Sequence, residues 1–193
     1  EGDNGHWTRN LIASADGSKL YVAVGSSSNI GDNGMEAEEG RAAIWEFNPD
    51  GSGARVFASG LRNPVGMDWA PETGALWVAV NERDMLGDNL VPDYMTSVRD
   101  GAFFGWPYFY WGDQRDERVE LLANVRLAAP TAPDFALGAH TASLGLMFAR
   151  GESLPEHYRS GAFVGQHGSW NRSALVGYKV VFVPFANGGP SGA

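Results

Sequence analysis

The chain writes one pattern twice at a fixed distance, and that limits what it can fold into more than any other feature does. Residues 21–33 read YVAVGSSSNIGDN and residues 77–89 read WVAVNERDMLGDN. Trp77 follows Tyr21 by 56 positions, and Leu86 follows Ile30 by the same 56. A third, looser copy of the apolar run lies at Phe163–His167, 86 positions beyond Trp77, the interval lengthened by a loop from Trp106 to about Ala139. Self-similarity at a period of tens of residues marks solenoids and propellers. Within each period the runs LIAS and LYVAVG, AIWEFN and ARVFASG, and VGMDWA and ALWVAVN are separated by ADGSK, PDGSG and PETG. These centres supply positive φ or a fixed first turn position, so each pair predicts a β-hairpin. GLMFAR, GAFVGQHG and YKVVFVPF continue the series, and no window carries sustained apolar spacing at helical period.

One period therefore holds three or four short antiparallel strands. That suits a propeller blade better than the shorter coil of a β-helix or an immunoglobulin sandwich, which has no internal repeat. The expected fold class is all-β, a β-propeller to which this chain supplies about three blades, with residues 1–193 forming part of a single domain. Equivalent strands of successive blades end at the same height around a propeller's channel. The polar segments after them, Ser26–Asn33, Glu82–Asn89 and Gly168–Arg172, are expected to converge on one face. The first Gly-Asp-Asn, Gly31–Asn33, reads by itself as a turn. Three blades would leave two open sheet edges, so a longer polypeptide, or other chains completing the propeller, is expected.

Composition narrows the partners. Fourteen basic against 23 acidic side chains give a net charge of −9 without a block of like charge, which disfavours nucleic acid. There is no cysteine, hence no disulfide or thiolate site. No apolar run approaches the ~18 residues of a membrane span, and the opening EGDNGHWTRN carries no signal-peptide core.

Four segments carry more chemical groups than a surface loop needs. NGHWTRNL sets His6 before the first strand, and GLRNPVGMDW sets Arg62 and Asn63 before another, with Pro64 fixing the backbone. NERDMLGDN clusters carboxylates and carbonyls, and GQHGSWNRS places His167, Trp170, Asn171 and Arg172 within six residues. Asn171-Arg172-Ser173 also fits a glycosylation sequon, a match that is usually accidental.

Taken in order with Phe104-Gly105-Trp106-Pro107, these segments resemble the soluble pyrroloquinoline-quinone-dependent aldose dehydrogenase family, in particular its sorbosone-dehydrogenase branch. The resemblance runs along nearly the whole chain and implies a six-bladed propeller of which this is the central part. It implies that His6 is the general base that takes a sugar hydroxyl proton while hydride passes to the quinone, a role suited to imidazole. It implies that Arg62 and Asn63 hold the cofactor, whose carboxylates a planar guanidinium grips well. Trp170 and Arg172 fall near cofactor-stacking and cofactor-clamping positions. His140, expected on a channel-lining strand, is a further candidate for ligand contact.

The Glu82–Met85 turn matches the segment whose main-chain carbonyls bind Ca2+, with Asp84 and Met85 as the donors. Asp88 matches an acid that braces this turn. Where glucose-oxidising members carry glutamine and Gly-Pro, this chain has Val65 and Asp84-Met85, which points to the sorbosone branch. The implied partners are a small-molecule sugar and an external electron acceptor, and the implied location is periplasmic or secreted. Two other functions fit the same fold: a calcium-dependent propeller lactonase recruiting Asn29, Asn81, Glu82, Asp84 and Asp88, and a non-catalytic propeller that binds carbohydrate or protein.

Overall fold

The structure is a computed structural model, which describes residues 5–121 and 126–192. Helix is confined among these to two 3-10 turns, Met35–Glu38 and Glu156–Tyr158. Everything else that is regular is strand. The first sheet is β1 (Arg9–Ala13), β2 (Leu20–Val24), β3 (Ala43–Phe47) and β4 (Arg55–Ser59), hydrogen-bonded in chain order. The second is β5 (Pro64–Trp69), β6 (Leu76–Val80), β7 (Pro92–Val98) and, after an excursion carrying the short pair β8 (Phe109–Tyr110) and β9 (Gln114–Arg115), β10 (Phe135–Ala139). The third is β11 (Ser143–Phe148), β12 (Gly161–Gln166), β13 (Lys179–Ala186) and β14 (Gly189–Pro190). These three four-stranded antiparallel meanders are three blades of a β-propeller.

The repeat in the sequence is the repeat of the blades. Its three aligned runs fall on β2, β6 and β12, in each case the second strand of its sheet. All three hairpins expected from the Gly-containing turns form, two of them with registers such as Ile12 opposite Tyr21 and Ile44 opposite Ala58. The long interval before the third copy is due to the excursion carrying β8 and β9, which lies between β7 and β10; those two strands match β3 and β4 of the first blade and are ones that the turn pattern did not announce.

The chain divides into two compact units, residues 1–64 with 99–133, and residues 65–98 with 134–193. The first unit contains the first blade, whose outer edge joins the returning chain through a parallel bridge between Ser59 and Phe103. The second contains the other two blades. Its core is Trp77, Ala79, Met95, Leu146, Phe148, Val164, Val183 and Phe185. The aromatic members meet edge to face, Trp77 to Phe185 at 5.0 Å and Phe148 to Phe185 at 5.1 Å between ring centroids, the arrangement that ring quadrupoles favour. Gly66 on β5 belongs to this junction. A side-chain carbon there would stand 2.3 Å from the Leu146 backbone nitrogen, so only glycine lets β5 and β11 approach so closely. Asp68 closes the same junction by accepting from both terminal nitrogens of Arg150 at 2.7 Å and from the Phe148 amide.

Strand alternation puts neighbouring residues of β11 on opposite faces. Phe148 is buried in this core, whereas Met147 is 59% exposed on the face it shares with Phe163 and Phe182. Phe148→Ala is therefore expected to cost about 3–5 kcal/mol in urea unfolding, and Met147→Ala less than about 1 kcal/mol.

Candidate cofactor and catalytic site

In the first unit the candidate residues gather where β2 ends. His6 is half-buried, its Nδ1 at 3.1 Å from the Ser26 carbonyl and 3.0 Å from the Ser26 hydroxyl. Its own carbonyl accepts from Arg9 at 2.9 Å and Arg41 at 3.2 Å. Burial, then the positive charge of Arg62, then Arg41 and Arg9, push the imidazole down to about 4, against a bond to the Ser26 backbone that acts the other way. The ring is thus neutral at neutral pH, the state a proton acceptor needs. Gly25 makes room for this. A side-chain carbon on it would lie 2.3 Å from Asn63 Oδ1 and 2.7 Å from the His6 Cβ. Asn63 Oδ1 is buried with no protein hydrogen bond, an acceptor left for something else.

Arg62 is buried as well, and its Nε and Nη2 donate to the carbonyl and side-chain oxygens of Asn29 at 3.2 and 2.9 Å. The Trp106 indole donates to the same Asn29 carbonyl at 3.0 Å, so the Phe-Gly-Trp-Pro segment acts here by placing Asn29 and through it Arg62. The turn of residues 26–33 is tied to Glu38, a buried carboxylate that accepts from the Ser27 amide, the Ser27 hydroxyl and the Ser28 hydroxyl at 2.7–2.8 Å. Asp32 caps its own turn at the Ile30 amide. Three guanidinium groups around one imidazole, in a chain of net charge −9, make this strand end suited to an anion.

In the second unit the other candidates gather at the ends of β6 and β12. Asp93, 1% exposed on β7, accepts at Oδ1 from the Glu82 amide (2.8 Å) and at Oδ2 from the Thr141 hydroxyl (2.9 Å) and the Ser143 amide (2.7 Å). One carboxylate thereby fixes the start of the 82–89 turn and the 140–143 loop. His140 is not on a strand: it stands just past β10 with φ 59°, facing Asp84 Oδ1 at 3.0 Å and donating to the Gly87 carbonyl at 2.8 Å. Both of its ring nitrogens serve the turn. Met85 and Ala142 also have positive φ, 73° and 48°, a cluster of backbone strain that the surrounding bonds must hold.

The loop after β12 closes on this turn. Asn171 accepts from the Met85 amide at 3.2 Å, Arg172 Nη1 donates to the Asp88 carbonyl at 2.5 Å, and Asp88 Oδ1 accepts from the Ser173 amide at 3.1 Å. Two of the three polar segments expected to converge therefore do so within this unit. The Asn171 Nδ2 in turn donates to Met85 Sδ at 3.4 Å. Met85, Gly87, Asp88, Trp170, Asn171, Arg172 and Ser173 line an open depression, with Trp170 76% exposed and its flat ring available for stacking.

Pyrroloquinoline quinone fits the chemistry of these residues, since it is planar and carries three carboxylates. Within the first unit the orphaned Asn63 oxygen and the arginines around His6 suit a polyanion that also carries an N–H, and within the second the exposed Trp170 ring suits a flat molecule. Calcium fits less well. The Asp84 carbonyl expected to bind it already accepts from Arg83 Nε and Nη2 at 3.3 and 3.2 Å, and a divalent ion there would face a guanidinium. No group of three His, Asp or Glu side chains among the described residues offers another metal site.

Three four-stranded blades with polar turns at the ends of their second strands are the architecture of a β-propeller. The chain belongs to the TrAA12-like family, whose model matches residues 2–98 and 124–193. It is 32% identical over 178 residues to an uncharacterised protein of Borreliella burgdorferi, covering 91% of this chain and 45% of that one. It is 27% identical over 224 residues to the pyrroloquinoline quinone-dependent pyranose dehydrogenase of Coprinopsis cinerea, covering 93% of this chain and 30% of that one. The holo structure of the quinone domain of that pyranose dehydrogenase superposes with a TM-score of 0.76 at 24% identity, over 99% of this chain and 57% of that one. The calcium structure of a Trichoderma reesei carbohydrate-active enzyme of family AA12 gives 0.79 at 22% identity, over 99% and 56%. The chain thus spans about half the length, or less, of these relatives.

The sequence reading missed Asp93, Glu38, Arg41 and Ser26. Asp93 alone had a visible signal, an acid inside the apolar run VPDYMTSV. Removing it leaves the Glu82 and Ser143 amides without their carboxylate acceptor, so Asp93→Ala is expected to cost about 3–5 kcal/mol in chemical denaturation. His6 gives a pH signature. Its folded value of about 4 lies below the ordinary 6.5. The contribution to stability, about 3 kcal/mol at most, is therefore complete above pH 6.5 and is lost as pH falls toward 4. His6→Gln should remove that part of the acid-side decline in a denaturation series.

Proposed function

We propose that the protein is a quinoprotein oxidoreductase that acts on sugars, of the sorbosone-dehydrogenase kind, with an aldose or sugar aldehyde as substrate. The observation that carries this is the neutral His6, anchored at Nδ1 and surrounded by Arg9, Arg41 and Arg62. Membership of the TrAA12-like family and similarity to a pyrroloquinoline quinone-dependent pyranose dehydrogenase support it. The quinone, when bound, would supply a carbonyl-type acceptor for a hydride, which carries both electrons of the oxidation.

The chain's residues do the rest. With Nδ1 donating to the Ser26 carbonyl, the His6 lone pair lies on Nε2, which takes the proton of the sugar hydroxyl. Arg62, oriented beforehand by Asn29, would hold a cofactor carboxylate, and the buried Asn63 Oδ1 would accept from the cofactor's N–H. Trp170, with its exposed ring, would offer the cofactor a stacking surface, and Arg172 a positive charge beside it. An external acceptor then takes up the electrons, in the periplasm or outside the cell. The blades that close the propeller come from further polypeptide or from other chains.

The test uses the full-length protein, loaded with quinone and offered a panel of aldoses and sugar aldehydes with an electron-accepting dye. Dye reduction is expected, and His6→Gln should lower turnover by about 10²–10⁴-fold while the quinone absorbance change on binding persists. No absorbance change and no dye reduction with any sugar would overturn the proposal. Lactone hydrolysis above background would favour the hydrolase instead.

A further inference from the structure

We infer that the turn after β6 is organised by guanidinium groups in place of a divalent cation, with Arg83 as the resident cation at the Asp84 carbonyl. A calcium ion needs six to eight hard oxygen ligands with lone pairs free to converge on it. Several oxygens of this turn, the Asp84 carbonyl first among them, already accept hydrogen bonds. Arg83 Nε and Nη2 both donate to the Asp84 carbonyl at 3.3 and 3.2 Å. His140 faces Asp84 Oδ1 at 3.0 Å, an ion pair when the ring is protonated, and donates to the Gly87 carbonyl at 2.8 Å. Arg172 donates to the Asp88 carbonyl at 2.5 Å, and the Ser173 amide and hydroxyl donate to Asp88 Oδ1 at 3.1 and 3.3 Å. The Glu82 carboxylate accepts from the Arg83 amide at 3.0 Å.

Arg83 is 2% exposed, so its charge is a fixed part of the structure and not a surface side chain that swings aside. Its folded-back geometry, a guanidinium on the carbonyl of the next residue, neutralises the negative end of that peptide much as an ion would. Together Arg83 and Arg172 bring two positive charges to one turn, the same charge as one calcium ion. A calcium ion on the Asp84 carbonyl has to displace a buried guanidinium that has no solvent to move into. The sequence comparison of the two repeats points the same way. The first copy has Ser27 at the place of Arg83, and there a buried carboxylate, Glu38, receives the turn's donors instead of a cation.

This inference concerns the turn itself and does not depend on the redox reading. Terbium luminescence tests it, because terbium takes calcium sites and is sensitised by a nearby indole, here Trp170 in the depression that Met85 also lines. The protein is stripped with EGTA and titrated with terbium and, separately, with calcium during thermal unfolding. The expected result is no Trp170-dependent luminescence and no calcium-induced rise in the unfolding midpoint. Arg83→Ala, which vacates the Asp84 carbonyl, should gain luminescence that calcium displaces and that Trp170→Phe abolishes. If Arg83→Ala does not fold, the unsubstituted protein decides alone. Saturable luminescence in it, competed by calcium and lost in Trp170→Phe, would overturn the inference whether or not the protein oxidises sugars.

Discussion

The polar end of the second and third blades depends on a single buried carboxylate. Asp93 sits on a central strand of an apolar sheet, where an unpaired charge would be costly, and it is stable there because three donors converge on it. Those donors come from the ends of different strands, Glu82 after β6, and Thr141 and Ser143 between β10 and β11. The carboxylate thereby fixes the direction in which the 82–89 turn leaves its strand. That direction brings Met85 and Asp88 against the Asn171–Ser173 loop. Remote groups in the same unit follow from it: the positive φ of Met85, the placement of His140 and the exposed face of Trp170.

The first blade solves the same problem with different parts. Its turn has three serines where the second copy has charged side chains, and serine amides and hydroxyls are donors in need of an acceptor. Glu38 supplies one from a short 3-10 turn eleven residues on from Ser27, and the arrangement is satisfied internally. Lys19 and Arg55 of this unit pair with the acids Glu46 and Asp100. Arg9, Arg41 and Arg62 gather instead on carbonyls around His6, and their charge is felt by the imidazole and available to an anion. A protein with excess acid overall thus has, at one strand end, a local surplus of positive charge.

Much of this architecture could be read from the chain before any coordinates. The hairpins could be, since Asp16-Gly17, Asp50-Gly51 and Thr73-Gly74 demand turns where β-rich runs flank them. The blade period could be, since each second strand writes an apolar run, the LWVAV of β6 being buried at every position. β7 was less legible: its run PDYMTSV mixes an acid and hydroxyls with apolar residues, because it carries Asp93 and Thr96 for bonds to distant segments. His140 was misplaced onto a strand because GAH continues the β10 pattern. Its positive φ, and the turn it serves, come from contacts more than fifty residues away.

The sequence by itself determined the all-β class, the hairpins, the repeat of blades and the residue types gathered after each second strand. These are local properties of turn chemistry and alternation. Only the tertiary structure decided what those residues do to one another: that Arg83 lies on the Asp84 carbonyl, that His140 serves the turn, and that burial beside three arginines leaves His6 neutral. Hydrogen-bond partners and electrostatic environment depend on distances between segments far apart in the chain, and spacing along a sequence carries no such distances.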